Sequence, residues 1–229
     1  KITNEWNLKK IHPLITSYVI PKKKFESFKM YIKLYISKAL NIKFSENDTV
    51  FIKNIDKSRL NRTNITPNGA VVPKREFHLE YNLILRSWCQ LVKQITHNNS
   101  KLLKLFRITP NVRIKFGKEL SDNKKRSLST SYPHSDAWVE GPWGMNCFIP
   151  FFGDTKNNNM IYYEPISKFD ENFLKTSPTY TKMQWVTKYY KPIKNLNPKP
   201  GTVYISDYAS VHNTHRKKNC GTRISIDTT

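Results

Sequence analysis

Near its end the chain reads His212-Asn213-Thr214-His215-Arg216-Lys217-Lys218-Asn219-Cys220-Gly221-Thr222-Arg223-Ile224-Ser225-Ile226-Asp227. At a period of two, its last five residues place Arg223, Ser225 and Asp227 on one face of a strand and Ile224 and Ile226 on the other. The isoleucines ask for a core, and the polar row must face something that needs it. A carboxylate ligand suits that row: arginine offers a planar fork of donors, and a serine hydroxyl two residues on reaches the same side.

Working outward, ten residues separate His212 from Arg223, and far upstream stands His134-Ser135-Asp136. Two histidines and one aspartate are the side chains of the facial triad that leaves coordination positions open on non-haem Fe(II). Taken alone, His-x-Asp is a three-residue match, and a single histidine is more often structural than a ligand. Its placement adds weight, because after Pro110 the chain turns to short alternating or aromatic runs: Val112 to Phe116, Met145 to Phe152, Met160 to Tyr163 and Thr202 to Ser206. Turn formers separate them, among them Gly153-Asp154, Asn157 to Asn159, and Pro198 with Pro200-Gly201. This pattern predicts an all-β sandwich or jelly roll, in which distant strands converge at one mouth. An aromatic-rich insertion, Ser167 to Lys191, interrupts it.

Ahead of the strands the texture is helical. Phe25, Phe28, Tyr31, Ile32, Tyr35, Ile36 and Ala39 predict an amphipathic helix over Lys23 to Ile42. Leu79, Leu83, Ile84, Trp88, Leu91, Val92 and Ile95 predict another over Phe77 to Ile95, stopped by His97-Asn98-Asn99. Between them, Val50 to Val72 reads as an irregular connection ending in the turn Thr66-Pro67-Asn68-Gly69. The expected organisation is a helical region, 1–109, packed on a β core, 110–229, rather than two independent domains.

Thirty-nine Lys and Arg against 17 Asp and Glu give a net charge of +22, which points to a polyanionic partner. Runs such as Lys22-Lys23-Lys24 and Asn157-Asn158-Asn159 are equally what a genome rich in A and T encodes, and charge runs are commonly solvated faces. Cys89, Cys147 and Cys220 are far apart, with neither disulfide nor zinc spacing, as expected of a reducing, cytoplasmic protein. No run of about 18 apolar residues suggests a membrane span. The first twenty residues, broken by Lys9, Lys10 and Pro13, do not read as a secretory signal, and a start at Lys1 is expected of a trimmed chain.

His134-x-Asp136, then His212 with Arg223-x-Ser225 beyond it, resembles the iron(II)- and 2-oxoglutarate-dependent dioxygenases, in particular the phytanoyl-CoA hydroxylase-like superfamily. Its streptomycin-biosynthesis branch is similar over His134-Ser135-Asp136-Ala137-Trp138, Asn146-Cys147-Phe148-Ile149-Pro150 and Thr222 to Asp227. The resemblance covers residues 110–229. It implies a double-stranded β-helix in which His134, Asp136 and His212 bind Fe(II) while Arg223, assisted by Ser225, binds the distal carboxylate of 2-oxoglutarate. With O₂, such enzymes couple cosubstrate decarboxylation to succinate with oxidation of a substrate C–H bond, by default hydroxylation. Asp136 separates the chain from the halogenating relatives, which carry a small residue there.

Asn146 is carried over as a residue steadying 2-oxoglutarate, with a plain sheet or turn role equally open. Trp138, Trp143 and Trp185 are candidates for lining a substrate cavity or for simple packing. Of Tyr162 and Tyr163, one must face inward. The spacing to Arg223 selects His212 over His215 as the second histidine. Other classes fit less well. A cupin-like isomerase or zinc enzyme leaves Arg223-x-Ser225 unexplained, a nucleic-acid-binding module shows no recognised motif, and Cys147 and Ser135 sit in no nucleophile signature. The remaining alternative is a basic jelly-roll protein that binds nucleic acid or another polyanion without catalysis. The expected substrate is a small metabolite, and the charge together with Lys182, Lys188 and Lys191 beside Trp185, Tyr189 and Tyr190 favours an anionic one. Oligomeric state is not legible.

Overall fold

The computed structural model describes residues 6–61, 63–97, 101, 106–117, 132–141 and 144–229. Among them are strands β1 (Lys9–His12), β2 (Ile15–Val19), β3 (Asn111–Lys115), β4 (Met145–Gly153), β5 (Asn158–Pro165), β6 (Tyr190–Pro192), β7 (Thr202–Asp207), β8 (His212–Arg216) and β9 (Arg223–Thr228). They form a six-stranded sheet in the order β1-β2-β7-β4-β9-β3 and a three-stranded sheet in the order β6-β5-β8. All the pairings are antiparallel. Helices α1 (Lys22–Leu40), α2 (Asp48–Lys57) and α3 (His78–Ile95) complete the main framework.

Period-two alternation decides how the layers stack. Ile224 and Ile226 of β9, Val112 and Ile114 of β3, and Val203 and Ile205 of β7 share one core with Phe28, Ile32 and Ile36 of α1 and Trp88 of α3. The helices therefore cover the outer face of the large sheet. The inner face of that sheet meets the small sheet, where Phe148 and Tyr204 pack with Tyr162. In β4 the register against β9 shifts between Pro150 and Phe152, so both Phe151 and Phe152 join the helical core. Proline has no N–H to give a ladder, and a bulge is where a strand tolerates it.

Two segments differ from the sequence reading. The expected irregular connection over Val50 to Val72 opens with α2, capped by Asn47, whose Oδ1 accepts from the Val50 N–H at 3.0 Å. Phe51 and Ile55, four apart, are both fully buried, and two such residues are too few to stand out as a stripe. The turn at its end is present: the Gly69 N–H donates to the Thr66 carbonyl at 2.8 Å with Gly69 at φ +86°. A Cβ at Gly69 would meet the Ile114 carbonyl oxygen at 2.2 Å, so only glycine lets this turn lie against β3. The second difference is the β1–β2 hairpin, which lies within the region 1–109 expected to be helical. β2 pairs with β7 from Ile15↔Ser206 to Val19↔Thr202. Its alternation, Ile15 and Ser17 inward, carries a single apolar residue, which hides it from a hydrophobic pattern. No helix among the described residues is long and apolar enough to cross a membrane.

Candidate metal centre

His134 and His212 form an isolated antiparallel bridge: each backbone N–H donates to the other's carbonyl at 2.9 Å. Directly opposed residues project their side chains to the same side. The ring centroids accordingly lie 4.7 Å apart. Asp136, two residues beyond His134, turns back between them, with Oδ1 3.8 Å from His134 Nε2 and Oδ2 3.7 Å from His212 Nε2. One ligand atom from each of the three residues lies within 4.8 Å of the others.

Both imidazoles are oriented for coordination. His134 Nδ1 lies 2.7 Å from the Tyr132 carbonyl and His212 Nδ1 lies 3.0 Å from the Ser210 carbonyl. A carbonyl only accepts, so each Nδ1 carries the proton and each Nε2 presents its lone pair toward Asp136. Burial, aided by the neighbouring His212, pushes His134 down to about 4, which keeps that ring neutral and available at ordinary pH. For Asp136 burial acts upward, but His212, His134 and hydrogen bonds from Asn146 and Tyr180 outweigh it and hold the carboxyl below its usual range.

The triad opens on a cavity of about 240 Å³ between the two sheets, whose lining includes Arg113, Lys115, Arg223, Ser225 and Asp227. Arg223 and Ser225 are each 1% exposed. The Arg223 Nη1 donates to the Asn158 carbonyl at 3.2 Å and its guanidinium carbon sits 5.1 Å from the Phe148 ring centroid. Among the described residues its Nε and the Ser225 Oγ have no hydrogen-bond partner. Burial, with Arg113 nearby, brings Arg223 down to about 10. A buried cation beside an unpartnered hydroxyl is costly unless an anion completes it. Asp227, the third member of the row, is not that anion, because it takes both Nε and Nη2 of Arg113 at 2.5 Å.

The expected residues thus divide. His134, Asp136 and His212 come together, Arg223 and Ser225 line the same cavity, and Asn146 stands there too. The Asn146 Nδ2 donates to Asp136 Oδ2, so in this structure its partner is the carboxylate of the triad. His215 is exposed and lies opposite Asn159. Tyr162 is the inward tyrosine, its ring centroid 6.2 Å from that of His212, while the Tyr163 hydroxyl donates to Asn213. Trp138 is buried away from the cavity with its Nε1–H on the Phe173 carbonyl at 2.7 Å, and Trp185 is 44% exposed. Trp143 lies outside the described residues. Lys182, Lys188 and Lys191 are absent from the cavity wall, so they give no support to an anionic substrate there. Burial pushes the Cys147 thiol up to about 12, which removes it as a nucleophile.

Sequence reading missed Lys115, Arg113 and Tyr180. The first two alternate with Val112 and Ile114 on β3, opposite Arg223 and Ser225, so the period-two argument used for β9 would have found them. Burial, then Arg113 and Arg223, pushes Lys115 down to about 7. Tyr180 begins a 3-10 segment, Tyr180–Tyr189, where no periodic signal exists.

No family model matches the chain, and no curated protein does. Among solved structures, an N-substituted L-amino acid dioxygenase from Burkholderia ambifaria is 11% identical at a TM-score of 0.39, over 93% of this chain and 81% of that one. The same dioxygenase in complex with alpha-KG is 9% identical at a TM-score of 0.41, over 93% and 80%. At these values neither likeness carries an argument, and the site residues stand alone.

Proposed function

We propose that the chain is a non-haem Fe(II)- and 2-oxoglutarate-dependent oxygenase, related to the phytanoyl-CoA hydroxylase-like enzymes and built on a double-stranded β-helix over 110–229 whose large sheet is extended by β1 and β2. The supporting observation is a conjunction: the His134, Asp136 and His212 triad with ligand atoms within 4.8 Å, and a buried Arg223 and Ser225 with polar atoms unpartnered among the described residues in the same cavity. The donor set fits the metal, since two imidazoles and one carboxylate leave positions open on Fe(II). The unpartnered Arg223 Nε and Ser225 Oγ fit the cosubstrate's distal carboxylate.

In this reading His134, Asp136 and His212 hold the metal, and Arg223 with Ser225 orients the cosubstrate toward it. Bound Fe(II) with 2-oxoglutarate and O₂ supplies the oxidation of a C–H bond, most simply as hydroxylation, with succinate and CO₂ released. The protein's share is placement. Asn146 and Tyr180 hold the Asp136 carboxylate, and the Nδ1 carbonyl contacts hold the rings. The substrate is a small molecule. Non-catalytic binding of a polyanion has only the net charge of +22 in its favour.

Calorimetric titration with Mn(II), a redox-stable stand-in, and then with 2-oxoglutarate tests the reading. Wild type should bind both, Asp136→Ala neither, and Arg223→Met the metal alone. Wild-type binding of 2-oxoglutarate that ignores both substitutions contradicts it.

A further inference from the structure

Within the insertion Ser167 to Lys191, whose lysines and aromatics were expected to meet an anionic substrate, residues 173–189 instead send contacts to the metal-binding turn. The Gln184 Nε2 donates to the Pro133 carbonyl at 2.9 Å, ahead of His134. The Tyr180 hydroxyl donates to Asp136 Oδ1 at 3.1 Å. Just past Asp136, the Ser177 N–H donates to the Trp138 carbonyl at 2.6 Å, and the Trp138 Nε1–H donates to the Phe173 carbonyl at 2.7 Å. The Tyr180 ring covers His134 with centroids 4.5 Å apart. Beneath these bonds, Trp138 and Val211, each next to or two from a triad residue, share one small core with Phe173, Tyr180, Met183 and Val186.

A carboxylate turns readily about its last torsion, where the wells are broad. The two oxygens of Asp136 are pinned from opposite sides: Oδ2, facing His212, takes Asn146 of β4, and Oδ1, facing His134, takes Tyr180. Asn146 belongs to the sheet, but Tyr180 stays in place only while its segment is docked. We propose that residues 173–189 brace the metal site, with Tyr180 the positioning residue, so that docking of this segment and metal occupancy are linked. This rests on the functional reading above. Linkage is reciprocal: if the docked segment tightens metal binding, bound metal must steady the segment by the same factor.

Cobalt(II), added to the full chain, reports affinity and ligand geometry through its visible absorption. Tyr180→Phe keeps the ring over His134 and removes only the hydroxyl. We expect it to bind Co(II) about 10- to 100-fold more weakly, with an altered spectrum. Its metal-free melting temperature should stay near wild type, which a purely structural role would not predict. In wild type, amide hydrogen exchange across 173–189 should slow on Co(II) addition. A Tyr180→Phe protein with wild-type affinity and spectrum, or exchange in 173–189 indifferent to metal, overturns the brace while the functional reading survives. Wild type that binds no Co(II) overturns both.

Discussion

Arg223→Met should stabilise the metal-free protein while ending its use of 2-oxoglutarate. Arg223 is 1% exposed, carries an unpartnered Nε and is brought down to about 10 by burial, so its charge opposes folding at neutral pH. Replacing a buried charge by an apolar side chain of similar volume stabilises by about 1–4 kcal/mol where the charge lacks full compensation. Methionine also keeps a contact with the Phe148 ring. A gain of about 2 kcal/mol corresponds to a rise of roughly 4–8 °C in Tm for a chain of this length. The opposite holds for the ligand. In metal-loaded wild type, 2-oxoglutarate at about 100 times its Kd adds about 2.7 kcal/mol, a further shift of roughly 5–11 °C. Arg223→Met should lose that shift. Differential scanning calorimetry with and without metal and cosubstrate reads both effects. A variant that melts below wild type without metal, or that retains the wild-type response to 2-oxoglutarate, refutes the view that Arg223 is a cation awaiting an anion.

Other expectations follow from the same geometry. His215→Ala should keep its metal by elemental analysis whereas His212→Ala loses it, because His215 is exposed beyond the bridge. Ile224→Ala, a truncation of a fully buried side chain, should cost about 2–5 kcal/mol in urea unfolding without changing Mn(II) affinity in the folded protein. Metal-free protein should lose stability as pH falls from about 6.5 to about 4, since His134 is held down to about 4 and the unfolded chain binds more protons across that window. Asp136, also held low, extends the same sign of effect to more acid pH. Chemical denaturation at stepped pH measures the slope, which should flatten between pH 4 and 6.5 in His134→Gln.

Much of this was legible in the sequence, for a physical reason. A strand's alternation makes a functional face visible, so Arg223, Ser225 and Asp227 declared themselves against Ile224 and Ile226, and α1 and α3 declared themselves by their stripes. The triad was legible as residue types, although the His134–His212 bridge that brings them together spans 78 residues and has no local signature. Lys115 and Arg113 were legible and overlooked. Tyr180 was not legible, since a 3-10 segment docked by single hydrogen bonds leaves no period to read. The β1–β2 hairpin escaped because its inward positions alternate isoleucine with serine, and α2 because two buried residues and a cap make a weak pattern. The net charge of +22 pointed to an anionic substrate, yet Lys182, Lys188 and Lys191, expected to meet it, are absent from the cavity wall, and Arg113 there is engaged by Asp227.

The most direct test of the central claim is succinate formed from 2-oxoglutarate under air, with added Fe(II) and no other substrate, counted in wild type and Asp136→Ala side by side. The account predicts slow, iron-dependent succinate from wild type and none above background from the variant. Succinate at equal rates from both, or from neither while wild type binds iron and 2-oxoglutarate, would contradict it.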